Sequence, residues 1–153
     1  MSTLLLEKIL PTWLEEATRD EGAFSKIPEE TIQEMYALAY AFYQKADYNQ
    51  ASLFFRLLVT VRPFEIKFWK GFGASLQMEK HYGEALNCYM TCVNLSETQD
   101  PYIYLHAADC FFALKDVELG LNVLEEAKLA AQETNDVRVL KHVHFMHQQW
   151  VKQ

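Results

Sequence analysis

The chain has 153 residues, half of them apolar, and includes 10 Phe, 8 Tyr and 3 Trp, so a single domain can bury a substantial core. Only 5 Gly and 4 Pro occur, which excludes a disordered chain, a collagen-like repeat and a turn-rich β-sandwich. The 14 basic and 21 acidic side chains give a formal charge of −7, which argues against a nucleic-acid partner and favours basic or apolar ones.

Residues 1–30 form a predicted N-terminal helical arm with a dense apolar stretch. Its large apolar residues, interrupted at Pro11, are Leu4, Leu5, Leu6, Ile9, Leu10, Trp13 and Leu14. Seven large apolar residues in eleven positions exceed what a terminal cap needs, and exposed apolar patches usually mark interfaces. We therefore predict a homodimer formed through the arm. The residues predicted to carry the dimer contact are Leu5, Leu6, Ile9, Leu10 and Trp13. Glu7 and Lys8 interrupt the stretch and no basic region precedes it, so we expect no signal peptide.

A helical pattern then recurs three times, with copies at residues 48–58, 82–92 and 117–127. Each copy has a small residue, a large apolar one four positions later and a smaller apolar one three further on, which is one face of a helix. A leading helix with large-large-small-large spacing precedes each copy. Its residues are Met35, Leu38, Ala39 and Phe42 in the first, Trp69, Phe72, Gly73 and Leu76 in the second, and Tyr104, Ala107, Ala108 and Phe111 in the third.

This period and spacing match the tetratricopeptide repeat, whose helix pairs stack into a solenoid because no pair buries its face alone. We therefore predict an all-α fold in which three repeats, at residues 32–65, 66–99 and 101–134, form a short right-handed superhelix. Gly120 departs from the pattern, since Ala is usual there and Gly costs about 1 kcal/mol of helix propensity.

Residues 136–153 are predicted to form a capping helix that covers the open face of the third repeat. Its apolar residues at helical spacing are Val137, Leu140, Val143, Trp150 and Val151, and Asn135 is the predicted N-cap. The predicted tetratricopeptide repeat domain thus spans residues 31–153.

No residue pattern indicates catalysis, a metal site or a cofactor. His142, His144 and His147 lie on one predicted helix, where only His144 and His147 could approach each other, and zinc needs three or four convergent ligands. Cys88, Cys92 and Cys110 form no CxxC pair and no even set, which fits a reducing compartment. Cys88 and Cys92, which lie on one predicted helix, are predicted to be buried, reduced thiols. No run of 18 apolar residues occurs, so we expect no membrane insertion and a cytoplasmic location.

The leading helices are expected to line the concave side of the solenoid, with their second, fifth, ninth and twelfth positions in a groove. These positions are Gln33, Tyr36, Tyr40 and Tyr43 in the first repeat, Lys67, Lys70, Ala74 and Gln77 in the second, and Tyr102, Leu105, Asp109 and Phe112 in the third, with His106 beside them. Tyrosine suits peptide capture because it combines a large apolar area with a polar tip and few rotatable bonds. The alternative is that some of these tyrosines pack under the arm or in the core.

The composition of the groove separates two styles of peptide binding. A clamp for an acidic tail needs several basic groups. Here only Lys67 and Lys70 would serve, while Asp109 has the opposite charge. The sequence therefore favours an extended apolar segment as the ligand.

The tyrosine-rich run at residues 35–43, the following Tyr48-Asn-Gln-Ala51 and the His106-Ala-Ala-Asp-Cys110 element together resemble the class II chaperones of bacterial type III secretion, over roughly residues 20–135. The resemblance implies a cytosolic protein of three tetratricopeptide repeats whose client is a hydrophobic translocator, held as a short extended segment in the groove. It also implies dimerisation through the N-terminal helical region.

Carried onto this chain, the resemblance implies that the groove is formed by Tyr36, Tyr40, Tyr43, Lys70, Ala74, Gln77, His106 and Asp109. The rival interpretation is a non-catalytic adaptor that docks a folded partner or a component of the secretion apparatus. A short peptide would compete for the groove of a chaperone but would leave adaptor binding unchanged.

Overall fold

The computed structural model describes residues 26–152, which form seven α-helices and no strand. The helices are α1 (Glu29–Gln44), α2 (Tyr48–Val61), α3 (Ile66–Met78), α4 (Tyr82–Leu95), α5 (Pro101–Ala113), α6 (Val117–Thr134) and α7 (Val137–Val151). The predicted all-α class is confirmed for this part of the chain. The N-terminal arm lies outside the described residues except for its last few positions, where α1 has already begun at Glu29.

Each helix packs mainly against the next one along the chain. The pairs α1–α2, α3–α4 and α5–α6 form three hairpins, which are joined through α2–α3 and α4–α5 contacts, and α7 packs against α6 and α5. In a solenoid each repeat contacts only the repeats next to it along the chain, and this pattern of contacts is the same. In addition, α1 touches α3 directly, so the first helices of the first two hairpins lie side by side.

The turn inside each hairpin has the same geometry. Ala46, Lys80 and Lys115 adopt left-handed φ values of 61°, 66° and 66°, and the residue after each donates its N–H to a carbonyl near the end of the preceding helix. Such a left-handed residue closes a helix by satisfying its last carbonyl groups. None of the three is glycine, so each turn carries the steric cost of a side chain in this conformation.

Aspartates begin four of the helices. The side chains of Asp47, Asp116 and Asp136 accept a hydrogen bond from the backbone N–H three residues on, and Asp100 caps α5 through Tyr102 N at 3.0 Å. The predicted N-cap Asn135 is wrong. Asn135 instead ends α6 with a left-handed φ of 53°, and Asp136 caps α7. Asparagine tolerates left-handed φ values well, which explains the difference.

Two apolar clusters form the core, one among α1–α5 and one among α5–α7. In the second cluster Val139, Val143 and Met146 of α7 are buried, and the Trp150 ring stacks on Phe112 with a centroid distance of 4.6 Å. The helix therefore covers the third hairpin, as predicted. Val137 and Val151, which were assigned to the same face, are instead more than half exposed because they lie at the two ends of α7.

The glycine at the start of α6 has a packing reason. A Cβ on Gly120 would lie 2.4 Å from Cε1 of Phe112, well inside normal contact distance. Glycine therefore lowers the helix propensity at this position but leaves the space that the Phe112 ring occupies.

Candidate functional site

A cavity of about 240 Å³ opens between α1, α2 and α3, and we call it the tyrosine cavity. It is lined by Tyr36, Tyr40, Tyr43, Phe55, Lys67, Lys70, Gly71 and Ala74. Six of these were predicted from helix position, so the structure brings together six of the eight expected groove residues of the first two repeats. Gln33, which is exposed, and Gln77 do not line this cavity. Its volume is below the range of ~300–1,000 Å³ typical of small-molecule sites, so it suits individual side chains of a larger ligand.

The aromatic wall of the cavity is formed by α1. Tyr36 is the central ring, with centroid distances of 5.4 Å to Phe68, 6.2 Å to Phe55 and 6.3 Å to Tyr40. Tyr40 is 50% exposed even though its neighbours are partly buried. An exposed ring held beside packed rings offers a large apolar surface at little entropic cost, as a peptide anchor does.

Tyr43 forms the far end of the same wall. Its ring packs edge-to-face on Tyr48, with 5.3 Å between the centroids. Burial raises the pKa of the Tyr43 phenol above its usual value, and the nearby Tyr48 and Tyr40 hydroxyls add to this effect. Tyr43 therefore stays neutral at physiological pH, where its hydroxyl can donate or accept a hydrogen bond.

The floor of the cavity depends on a glycine. Gly71 on α3 faces Phe55 so closely that a Cβ at this position would lie 2.2 Å from Cε1 of the ring. Phe55 itself is only 1% exposed. Neither residue was predicted to line the groove, since Phe55 occupies the large core position of its repeat and Gly71 has no side chain to suggest a role.

Two lysines of α3 form the opposite wall. Lys67 extends over the rings of Tyr36 and Phe68, with its Nζ at 5.0 and 5.4 Å from their centroids. Lys70 forms an ion pair with Asp100 at 2.6 Å between Nζ and Oδ2. The cavity is therefore aromatic on one side and basic on the other.

Three other predicted groove residues, Gln77 of α3 and His106 and Asp109 of α5, are polar and lie outside the lining of the tyrosine cavity. Gln77 accepts a hydrogen bond at 2.7 Å from the buried Tyr89 hydroxyl, and the His106 ring stacks on Tyr89 at 5.8 Å. Partial desolvation lowers the pKa of His106 despite the opposing charge of Asp100. Burial raises the pKa of Asp109, with the His142 charge acting in the opposite sense.

Two predicted groove residues do not face an open surface. Leu105 and Phe112 are 7% and 2% exposed and belong to the core cluster formed with α6 and α7. They were placed in the groove by helix position alone, and the packing of α7 against α5 accounts for their burial. Tyr102, the remaining predicted position of the third repeat, is 41% exposed near the start of α5.

A larger cavity of about 390 Å³ lies where α3, α4 and the start of α5 meet. Lys70 and Asp100 line it together with Ile66, Cys92, Ile103 and the loop after α4. Lys70 also lines the tyrosine cavity, so the two cavities share this side chain.

The predicted dimer residues Leu5, Leu6, Ile9, Leu10 and Trp13 lie outside the described part of the chain. Within residues 26–152, no group of three His, Cys, Asp or Glu side chains is arranged to hold a metal ion. None of the described helices has the length and apolar character needed to cross a membrane.

Comparison with known proteins identifies tetratricopeptide repeats in the first half of the described residues. Residues 33–63 and 66–93 match the Tetratricopeptide repeat family. Low calcium response locus protein H of Yersinia pestis is 28% identical over 105 residues, which are 67% of this chain and 62% of that protein. The chain thus spans less than two thirds of the length of the curated relatives it matches.

Two solved structures extend the similarity beyond the second repeat. The first is PcrH in complex with the chaperone binding region of PopD, which matches with a TM-score of 0.77 at 22% identity. The match covers 83% of this chain and 96% of that chain. A chain of the CopN–Scc3 complex is 31% identical with a TM-score of 0.74, covering 79% of this chain and 71% of that one. The tetratricopeptide repeat fold predicted from the sequence is confirmed, and the chain is similar in sequence to Low calcium response locus protein H.

Proposed function

We propose that the protein is a non-catalytic chaperone of a type III secretion system, located in the bacterial cytosol. It would bind an extended segment of a hydrophobic translocator in the groove that contains the tyrosine cavity. The observation that carries this proposal is the cavity itself, in which three tyrosines of α1 face the small residues Gly71 and Ala74 of α3. Such an opening admits an aliphatic side chain from a segment lying across the two helices.

The known partner of a similar protein supports the proposal. PcrH, which shares the fold, has been solved in complex with the chaperone binding region of PopD. The structural similarity concerns the fold, and the choice of client for this chain rests on the chemistry of its own groove. Apart from Lys67 and Lys70, the lining of the tyrosine cavity is apolar and aromatic, as a hydrophobic client requires.

Physical considerations explain how such a groove would act. A membrane-inserting client exposes apolar surface in water and would aggregate through it. Binding one segment in a preformed solenoid groove removes part of that surface while little ordering cost falls on the chaperone. The client would remain unfolded outside the bound segment and so would remain suitable for secretion.

We also propose that the protein forms a homodimer through the N-terminal apolar stretch. Supporting this, Leu5, Leu6, Ile9, Leu10 and Trp13 provide a density of large apolar side chains that a monomer rarely leaves exposed.

The test is co-expression with candidate translocators, beginning with PopD, and recovery of soluble client. Wild type should keep the client soluble, and Tyr40→Glu should not, because the exposed ring of the cavity wall would be replaced by a charged carboxylate. Equal recovery with both variants would reject the groove. Failure of both, together with capture of a folded partner that a short peptide does not displace, would favour an adaptor.

A further inference from the structure

Lys67 is the cation at the rim of the tyrosine cavity whose charge is not compensated by a carboxylate. Its side chain is exposed, and its Nζ rests 5.0 Å from the centroid of Tyr36. Among residues 26–152, no carboxylate lies within 4.0 Å of this Nζ, since the ion pairs of that part of the chain involve other residues. Lys67 can therefore accept an anionic partner from outside.

Lys70, one helical turn further along α3, is different. Its Nζ lies 2.6 Å from Oδ2 of Asp100, whose Oδ1 in turn accepts the backbone N–H of Tyr102 at 3.0 Å. The Lys70 charge is thus neutralised by a carboxylate that is itself held by the N-terminus of α5. Of the two lysines that line the cavity, only Lys67 has its charge available to a ligand.

The position of Lys67 also determines where a ligand carboxylate would lie. The ammonium is held over the aromatic wall by cation–π contacts, which are weaker than an ion pair with a carboxylate. A carboxylate adjacent to an aliphatic side chain in the cavity would lie within reach of Nζ, because α3 places Lys67 and Gly71 one turn apart. The Tyr36 and Phe68 rings would shield one side of such a pair from water, while Lys67 itself stays exposed to solvent.

We propose that Lys67 selects a client segment that carries an Asp or Glu next to the aliphatic residue that enters the tyrosine cavity. This inference rests on the proposed function, since it assumes that a short segment binds there. It also runs against the net charge of −7, which by itself favours basic ligands. A preference for an acidic residue at one position would therefore come from a local contact.

The test is a selection from a randomised library of 12-residue peptides on the purified protein. Wild type should enrich peptides with Asp or Glu at a fixed distance from Leu, Ile or Val, and Lys67→Glu should enrich Lys or Arg at that position. Lys141→Glu is the matched control, because it makes the same change of charge at an exposed site on α7, which packs against α5 and α6. It should select the same peptides as wild type.

Calorimetry on one selected peptide gives the size of the effect. Replacing its acidic residue by Gln should weaken binding to wild type about three- to tenfold, as expected for a partly shielded ion pair. The same replacement should change binding to Lys67→Glu little or improve it. Selected peptides without acidic preference, or equal losses in both proteins, would overturn the role of Lys67 while leaving the groove intact. If no peptide is enriched, the proposed function itself fails.

Discussion

Replacing Gly71 by Ala should destabilise the protein, although Ala is the better helix former. Gly71 lies inside α3, where Ala is favoured by about 1 kcal/mol of intrinsic propensity. The added Cβ would lie 2.2 Å from Cε1 and 2.3 Å from Cζ of Phe55, whereas carbon atoms normally approach to ~3.5–4.0 Å. The ring must therefore move by more than about 1 Å, away from a position where it is 1% exposed.

The expected size of the effect follows from these opposing terms. Overpacking of a well-packed core costs ~1–3 kcal/mol, which exceeds the gain in propensity and leaves a net loss of about 1 kcal/mol. For a protein of this size the melting temperature should fall by roughly 2–4 °C. Because Phe55 and Gly71 form the floor of the tyrosine cavity, the displaced ring should also narrow the cavity and weaken peptide binding.

Chemical denaturation followed by circular dichroism measures this change, with Gly83→Ala as the matched control. A Cβ at Gly83 meets no atom within 4 Å, so that substitution should be neutral or stabilising. A double variant, Gly71→Ala with Phe55→Leu, should lose less stability than the two single variants predict together, since the smaller side chain relieves the overlap. If Gly71→Ala is as stable as Gly83→Ala, the predicted overlap between the added Cβ and the Phe55 ring is wrong.

Three further predictions concern other parts of the molecule. Ala46→Gly should stabilise by about 1 kcal/mol because Ala46 adopts a φ of 61°, whereas Lys45→Gly, at a φ of −84°, should destabilise; both are read by urea denaturation. Burial raises the thiol pKa values to about 12 for Cys88, about 11 for Cys92 and about 12 for Cys110. Alkylation by iodoacetamide at pH 8 should therefore label these thiols only after unfolding, and rapid labelling of the native protein would contradict their burial. Leu5→Asp combined with Leu6→Asp should shift the protein toward monomer in light scattering, and an unchanged mass would reject the proposed dimer contact.

The fold could be predicted from the sequence because it is a local, repeated property. Each helix pair lies within one period, so the spacing of Ala51, Ala85 and Gly120 fixes the packing face without any long-range information. The wall of the tyrosine cavity was predictable for the same reason. Tyr36, Tyr40 and Tyr43 follow one another along a single helix face and face neighbouring α3.

The remainder of the site depends on contacts that the repeat pattern does not contain. The burial of Leu105 and Phe112 depends on α7, which follows the last repeat and closes that end of the solenoid. The role of Gly71 depends on where the Phe55 ring lies, and the ion pair of Lys70 depends on Asp100, which precedes α5. Such contacts join residues about 16 to 38 positions apart and become visible only in three dimensions.

The most direct test of the account is the affinity of a client segment for the tyrosine cavity. Limited proteolysis of a co-expressed complex would give the protected segment, and a labelled peptide of that segment would report the dissociation constant by fluorescence anisotropy. Tyr40→Ala should lose about 2 kcal/mol, or roughly 30-fold in affinity, as an aromatic anchor does. Phe145→Ala, at an exposed aromatic on α7, should bind like wild type. An unchanged dissociation constant for Tyr40→Ala would contradict the proposal that this cavity holds the client.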